Sequence, residues 1–223
     1  DGVLDEPIWD MAGKGADEFW QYFPLDSVQA KKQSQIKILY DDKNLYVGIK
    51  AYSSGENYAT QSLRRDFRGS GSDSFSLVFD TFNDGTNAFL FGINPYGVRR
   101  EALIANGGTS QDDFNLAWDM KWKGDAEIYD DYFTAEMVIP LTSFKFEEGV
   151  TKWRFNSYRI ETQSNERSSW TRIPQNQLIY NLAFMGDMVF EKPLGKSRTP
   201  LALIPYVNGI AARDYENGDN LNN

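Results

Sequence analysis

Residues 72–105 read SDSFSLVFDTFNDGTNAFLFGINPYGVRREALIA, and their alternation decides the fold. In SDSFSLVFD, Phe75, Leu77 and Phe79 fall on one face and Ser74, Ser76 and Asp80 on the other. That period of two belongs to a strand with one buried face. Asn83-Asp84-Gly85 supplies turn chemistry, after which NAFLFGIN resumes with Phe89, Phe91 and Ile93. VRREALIA continues the pattern, so the stretch predicts three successive strands joined by tight turns.

Working outward, QIKILYDD places Ile36, Ile38 and Tyr40 on one face, and LYVGIKAY does the same with Leu45, Val47, Ile49 and Ala51. Asp41-Asp42-Lys43-Asn44 between them predicts a hairpin. WDMKW, YFTAEMVIP and KWRFNSYRIETQ add further strands. Helix is confined to single turns, one near Ile8 and Trp9 and one over Pro140 to Phe144. Many short strands and Asn, Asp and Gly turns in 223 residues, 15% of them aromatic, predict an all-β fold: an antiparallel β-sandwich of jelly-roll type.

A composition shift divides the chain. Residues 1–192 form the sandwich; residues 193–223 open on the Pro-bounded, basic KPLGKSRTP and continue as LALIPYVNGIAARDY. The second part predicts a linker and a possible first strand of a following β-barrel, since it alternates over about the length of one transmembrane β-strand. Nothing at the start reads as a targeting segment, and no apolar run is long enough for a membrane-spanning helix.

Charge and missing residue types exclude several functions. The net charge of −9 disfavours nucleic acid as a partner. With no cysteine and no histidine, the chain has no thiolate or imidazole chemistry and no Ser-His-Asp triad. Carboxylate, Lys, Tyr or calcium chemistry is what remains.

The ordered set DGVLDEPIWDMA, ILYDDKNLYVGIKAY, SDSFSLVFDTF, AEMVIP and WRFNSYRIE resembles the family 9 carbohydrate-binding modules over about residues 1 to 192. A closer resemblance is to the version that precedes an outer-membrane β-barrel in an uncharacterised Gram-negative family. Its hallmarks appear as Arg64-Arg65-Asp66, as FDTFNDGTNAFLFGINPYGVRREALI, as NLAWDMKW, as NERSSWTRIP and as PLALIPYVNG from Pro200 to Gly209. The resemblance implies a non-catalytic, sugar-binding sandwich, often with structural calcium. It also implies an extracytoplasmic place: periplasm, outer membrane or cell surface of a Gram-negative bacterium. The implied partner is a glycan. The alternative is structural: the domain plugs or docks against a β-barrel of the same chain and binds no sugar.

In the family a sugar ring lies between two tryptophans, and this chain departs from that pattern. Arg68-Gly69-Ser70-Gly71-Ser72 stands at the first position, with Phe67 the nearest aromatic; Tyr180 is the only aromatic near the second. The family's acidic strand residue corresponds to Ser76, and its basic residue falls at about Gly92.

The candidate sugar contacts are therefore Arg64, Arg65, Phe67, Trp170 and Tyr180. Arg forks can hold hydroxyls or carboxylates, and aromatic faces can stack on a pyranose. Arg99, Arg100 and Glu101 form a second charge cluster that reads equally as cross-strand ion pairing. Trp170 reads either as a sugar platform or as a cap on the core, and Trp118 and Trp122 read as core. For calcium, Asp80, Asn83, Asp84 and Asn87 surround one turn with oxygen donors. Glu101, Asp119, Glu136 and Glu161 are the carboxylates a glycosidase would need to pair, and no spacing singles out two of them.

Overall fold

A computed structural model describes residues 1–55 and 57–196. Residues 197–223, which hold most of the expected linker and the whole expected barrel strand, lie outside the described residues.

Twelve strands occur among the described residues: β1 (Trp20–Phe23), β2 (Ser34–Tyr40), β3 (Asn44–Tyr52), β4 (Ser74–Asp80), β5 (Ala88–Ile93), β6 (Arg99–Ile104), β7 (Phe114–Asn115), β8 (Lys123–Ile128), β9 (Tyr132–Pro140), β10 (Lys152–Glu161), β11 (Glu166–Ser169) and β12 (Gly186–Val189). They form two antiparallel sheets. The larger runs β1-β11-β10-β4-β5-β6-β7, with β12 also paired to β10; the smaller runs β2-β3-β9-β8. The expected sandwich is the observed one.

Alternation builds the core as the sequence predicts. Phe75, Leu77, Phe79, Phe91, Ile93, Trp153 and Phe155 of the large sheet face Ile36, Leu45, Val47, Ile49, Phe133, Met137 and Ile139 of the small one. Phe79 sits at the hub, with its ring 5.2–6.3 Å from those of Phe91, Phe144, Trp153 and Phe155. Most of these meet edge to face, the arrangement that ring quadrupoles favour.

β4 is buried on both faces. Its outer side belongs to a second apolar cluster of Val78, Leu90, Ala102, Ile104, Tyr158 and Leu182, against which Ile179, Tyr180 and Met185 pack. The segment after β11 therefore folds back over the outside of the large sheet. The small sheet has its own cover: Leu4 and Trp9 lie over Gly48, where a Cβ would come within 3.0–3.1 Å of both side chains.

One sequence expectation changes. WDMKW is not a strand; Trp118 and Trp122 insert into the core from the loop before β8, against Phe89 and Phe91. The turn expected over Pro140 to Phe144 is a 3-10 turn at Leu141–Ser143. The short helix at Ile8–Met11 forms as predicted, with Trp9 buried.

Candidate functional site

Register decides where each polar side chain points. Arg99 pairs with Ile93, Arg100 with Gly92 and Glu101 with Phe91. Arg99 and Glu101 thus share the inner face with Ile93 and Phe91, and Arg100 stands alone on the outer face. The same parity carries Ser74, Ser76, Tyr158 and Ile160 to the outer face, since Tyr158 opposes Ser76 and Ile160 opposes Ser74. Arg167 opposes Ile160 and joins them.

Arg100 is 4% exposed, and no carboxylate among the described residues pairs with it. Its Nη2 donates to Ser76 Oγ and to Tyr158 Oη, both at 2.8 Å. The guanidinium lies 5.4 Å from the Phe67 ring centre and 6.0 Å from that of Tyr158. Its Nε has no partner. Glycine stands at both positions nearest this group: a Cβ on Gly69 would come to 2.1 Å from Nη1, and one on Gly92 to 2.9 Å from Nε.

Two loops frame this face. The loop before β4 is pinned by Asp73, whose carboxylate accepts from the Ala59 amide, the Thr162 amide and the Thr162 hydroxyl. The segment after β11 brings Tyr180, half-buried and 5.1 Å from the Phe114 ring. Burial pushes the Tyr180 phenol up to about 12, helped by Tyr158, Asp113 and Tyr22 nearby. Tyr22 reaches the same segment by donating to the Gln177 carbonyl at 2.6 Å. The face therefore carries a caged guanidinium, three phenols and one exposed arginine.

The structure separates the residues singled out from sequence. Phe67 and Tyr180 share the outer face with Arg100. Arg64 is exposed on the loop before β4. Arg65 turns instead to the inner side, where it pairs with the fully buried Glu101 and with Asp119 at 2.9 Å. Glu101 also accepts from the Trp122 indole at 3.1 Å and the Met120 amide at 3.2 Å. Burial raises its carboxyl above the usual range, against the opposing pull of Arg65. Trp170 follows β11 on the side of Ser157, packs on Phe155 at 5.6 Å and caps the core, so it and Tyr180 lie on opposite faces of the sheet. Arg100, Tyr158, Tyr22 and Arg167 were not among the chosen contacts. Their signal was strand parity, which becomes readable only once partners are known.

The calcium candidates occupy the β4–β5 turn. Asp80 is fully buried; Oδ1 accepts from the Phe82 amide and Oδ2 from the Gly85 amide, with Arg154 at 3.8 Å. Asp84 accepts from the Thr86 amide, and Asn83 donates to the Lys152 carbonyl. Asn87 is exposed. A guanidinium already faces Asp80, and like charge disfavours a second cation there, so this donor set does not fit calcium. Elsewhere, the carboxylates of Asp1, Glu6 and Glu136 lie within 4.8 Å of one another. Glu6 and Glu136 both hold the Trp9 indole N–H, at 3.1 and 3.0 Å, which fixes the segment that covers the small sheet.

Of the glycosidase candidates, Glu101 and Asp119 meet at Arg65, which pairs with both, and the other two lie apart. Glu101 is sealed among Arg65, Met120 and Trp122. Glu161 is buried inside the sandwich 3.9 Å from Arg159. Glu136 is on the other sheet. Two depressions lie around Trp9: one is lined by Lys37 and Lys50, the other by Arg99, Lys123, Asp125 and Glu136. Lys37 donates to the Trp9 carbonyl, and Lys50 sits 4.0 Å over the Tyr132 ring, so both cations are committed.

No protein-family profile matches the chain, and no curated protein matches it. Solved structures do. A family 9 carbohydrate-binding module from Caldicellulosiruptor kristjanssonii in complex with cellotriose superposes with a TM-score of 0.60 at 15% identity, over 92% of this chain and 94% of that one. A second structure of such a module from that organism, with glucose, gives 0.57 at 16%, over 90% and 93%. A candidate carbohydrate-binding protein from Bacteroides uniformis gives 0.57 at 17%, over 78% and 87%. The chain has the fold of these sandwiches.

Proposed function

We propose that this is a non-catalytic carbohydrate-binding domain of an extracytoplasmic protein, with its site on the outer face of the large sheet. One observation carries the reading: a buried guanidinium with an unused N–H, held between the Phe67 and Tyr158 rings, with Tyr180 and Tyr22 grouped near Tyr158 on the same face. Sugar rings offer apolar faces to aromatics and hydroxyls to directional donors, and this face supplies both. The neighbours' cellotriose and glucose, on the same sandwich, support the choice of ligand class.

The test is a thermal-shift screen against mono- and oligosaccharides, with and without calcium. A sugar held only by the folded state, at 100 times its dissociation constant, adds about 2.7 kcal/mol. For a domain of this size that raises Tm by roughly 5–10 °C. The shift should disappear in Tyr180→Ala and persist in Trp170→Phe, because Trp170 lies on the other face. A flat response to every sugar overturns the reading and favours docking against a following β-barrel.

A further inference from the structure

The geometry points to an acidic sugar, and we infer that the outer face selects a uronic acid over its neutral counterpart through Arg100. This inference rests on the sugar-binding reading and names the class of sugar.

A guanidinium taken out of water is costly unless an anion or a full set of acceptors compensates it. Arg100 is 4% exposed and has two neutral hydroxyls, two ring faces and no carboxylate. Neither nearby carboxylate pairs with Arg100: Asp73 holds the Ala59 and Thr162 amides, and the exposed Asp66 meets the Glu101 amide at 3.4 Å. The outer-face positions next to Arg100 are Gly92, Ser76, Ser74, Tyr158 and Ile160, and the outer-face carboxylate of β4, Asp80, lies farther along and faces Arg154, so Arg100 has no counter-ion on this floor. Arg64 and Arg68 on the framing loop and Arg167 on β11 add exposed positive charge to the same side. A carboxylate on C6 of a pyranose would bring an anion to this desolvated cation.

The test compares D-glucuronate, its neutral methyl ester, D-glucose and acetate by isothermal titration calorimetry on the intact chain, with trigalacturonate and cellotriose as longer probes. The expected result is at least tenfold tighter binding of glucuronate than of glucose or the ester, with acetate weak. Arg100→Gln should erase that preference, with its fold checked by circular dichroism. Should that variant not fold, the ester comparison decides alone. Equal binding of glucose and glucuronate overturns the inference and leaves the sugar-binding reading standing. Acetate as strong as glucuronate shows a carboxylate site with no sugar recognition and overturns the inference. No binding of any sugar overturns both.

Discussion

Adjacent arginines in this chain have unlike fates, and stability measurements separate them. Arg65 neutralises Glu101, which is fully buried and also carries the Trp122 indole and Met120 amide. Arg64 is exposed. Removing one partner of a buried polar contact costs about 1–3 kcal/mol, whereas exposed substitutions usually stay within about 0.5 kcal/mol. Arg65→Ala should therefore lower the urea midpoint by the larger amount, and Arg64→Ala should leave it in place. The Tyr180 phenol gives a second residue-level test. Its folded value of about 12 stands above the ordinary 10.0. The stability it contributes is complete below the unfolded value and is lost as pH climbs from there through the folded value. Ultraviolet titration should show one phenol ionising about two units late, absent in Tyr180→Phe; ionisation of every tyrosine near pH 10 rules out its burial. At this scale the sequence revealed composition better than position. Phe67 and Tyr180 stood out in the sequence because aromatics are few in their loops. Arg100 was seen only as part of a charge cluster, because nothing in Arg-Arg-Glu says which of the three leaves the core side.

Strand identity was legible where large apolar residues alternate, and β8 was missed because its inward positions are Gly124, Ala126 and Ile128. Ile36 to Ala51 folds as the hairpin that its alternation predicts, and its Asp41 caps the turn by accepting from the Lys43 and Asn44 amides at 2.7 Å. WDMKW carries the same alternation and is a loop, since two tryptophans anchored in the core need no ladder to hold them. β1, β7, β11 and β12 are two to four residues long and too short for a period to declare itself. The β4–β5 turn yields the prediction for this scale. Asp80 organises it through two amides and faces Arg154, so Asp80→Ala leaves those groups short of an acceptor. A loss of about 1–3 kcal/mol is expected, read from urea unfolding. Calcium or a chelator should move neither protein's midpoint. A calcium-dependent rise in the wild type that Asp80→Ala abolishes would show that the turn rearranges around an ion after all.

Taken whole, the molecule sets its net charge against the charge of the proposed site. The chain carries −9 overall, while the outer face of the large sheet gathers Arg100 and Arg167, with Arg64 and Arg68 beside it. Distance decides which of the two an approaching anion feels. At 0.01 M ionic strength the Debye length is about 30 Å, and at 0.15 M it is about 8 Å. A domain of about 200 residues has a radius of gyration near 16 Å. In dilute buffer a trigalacturonate chain thus meets the repulsion of the entire acidic surface before it reaches the arginines. At physiological salt that repulsion is screened, and the contact with Arg100 is screened less because it is desolvated. Association should therefore quicken several-fold as salt rises from 0.01 to 0.15 M, with dissociation little changed, and cellotriose should show neither trend. Surface plasmon resonance with the chain immobilised measures both rates. If association slows with salt, the arginine face steers the ligand from afar and the remaining acidic surface is too distant to oppose it. If both rates are flat for the charged sugar, its carboxylates never meet the protein's field, and Arg100 is not what they bind.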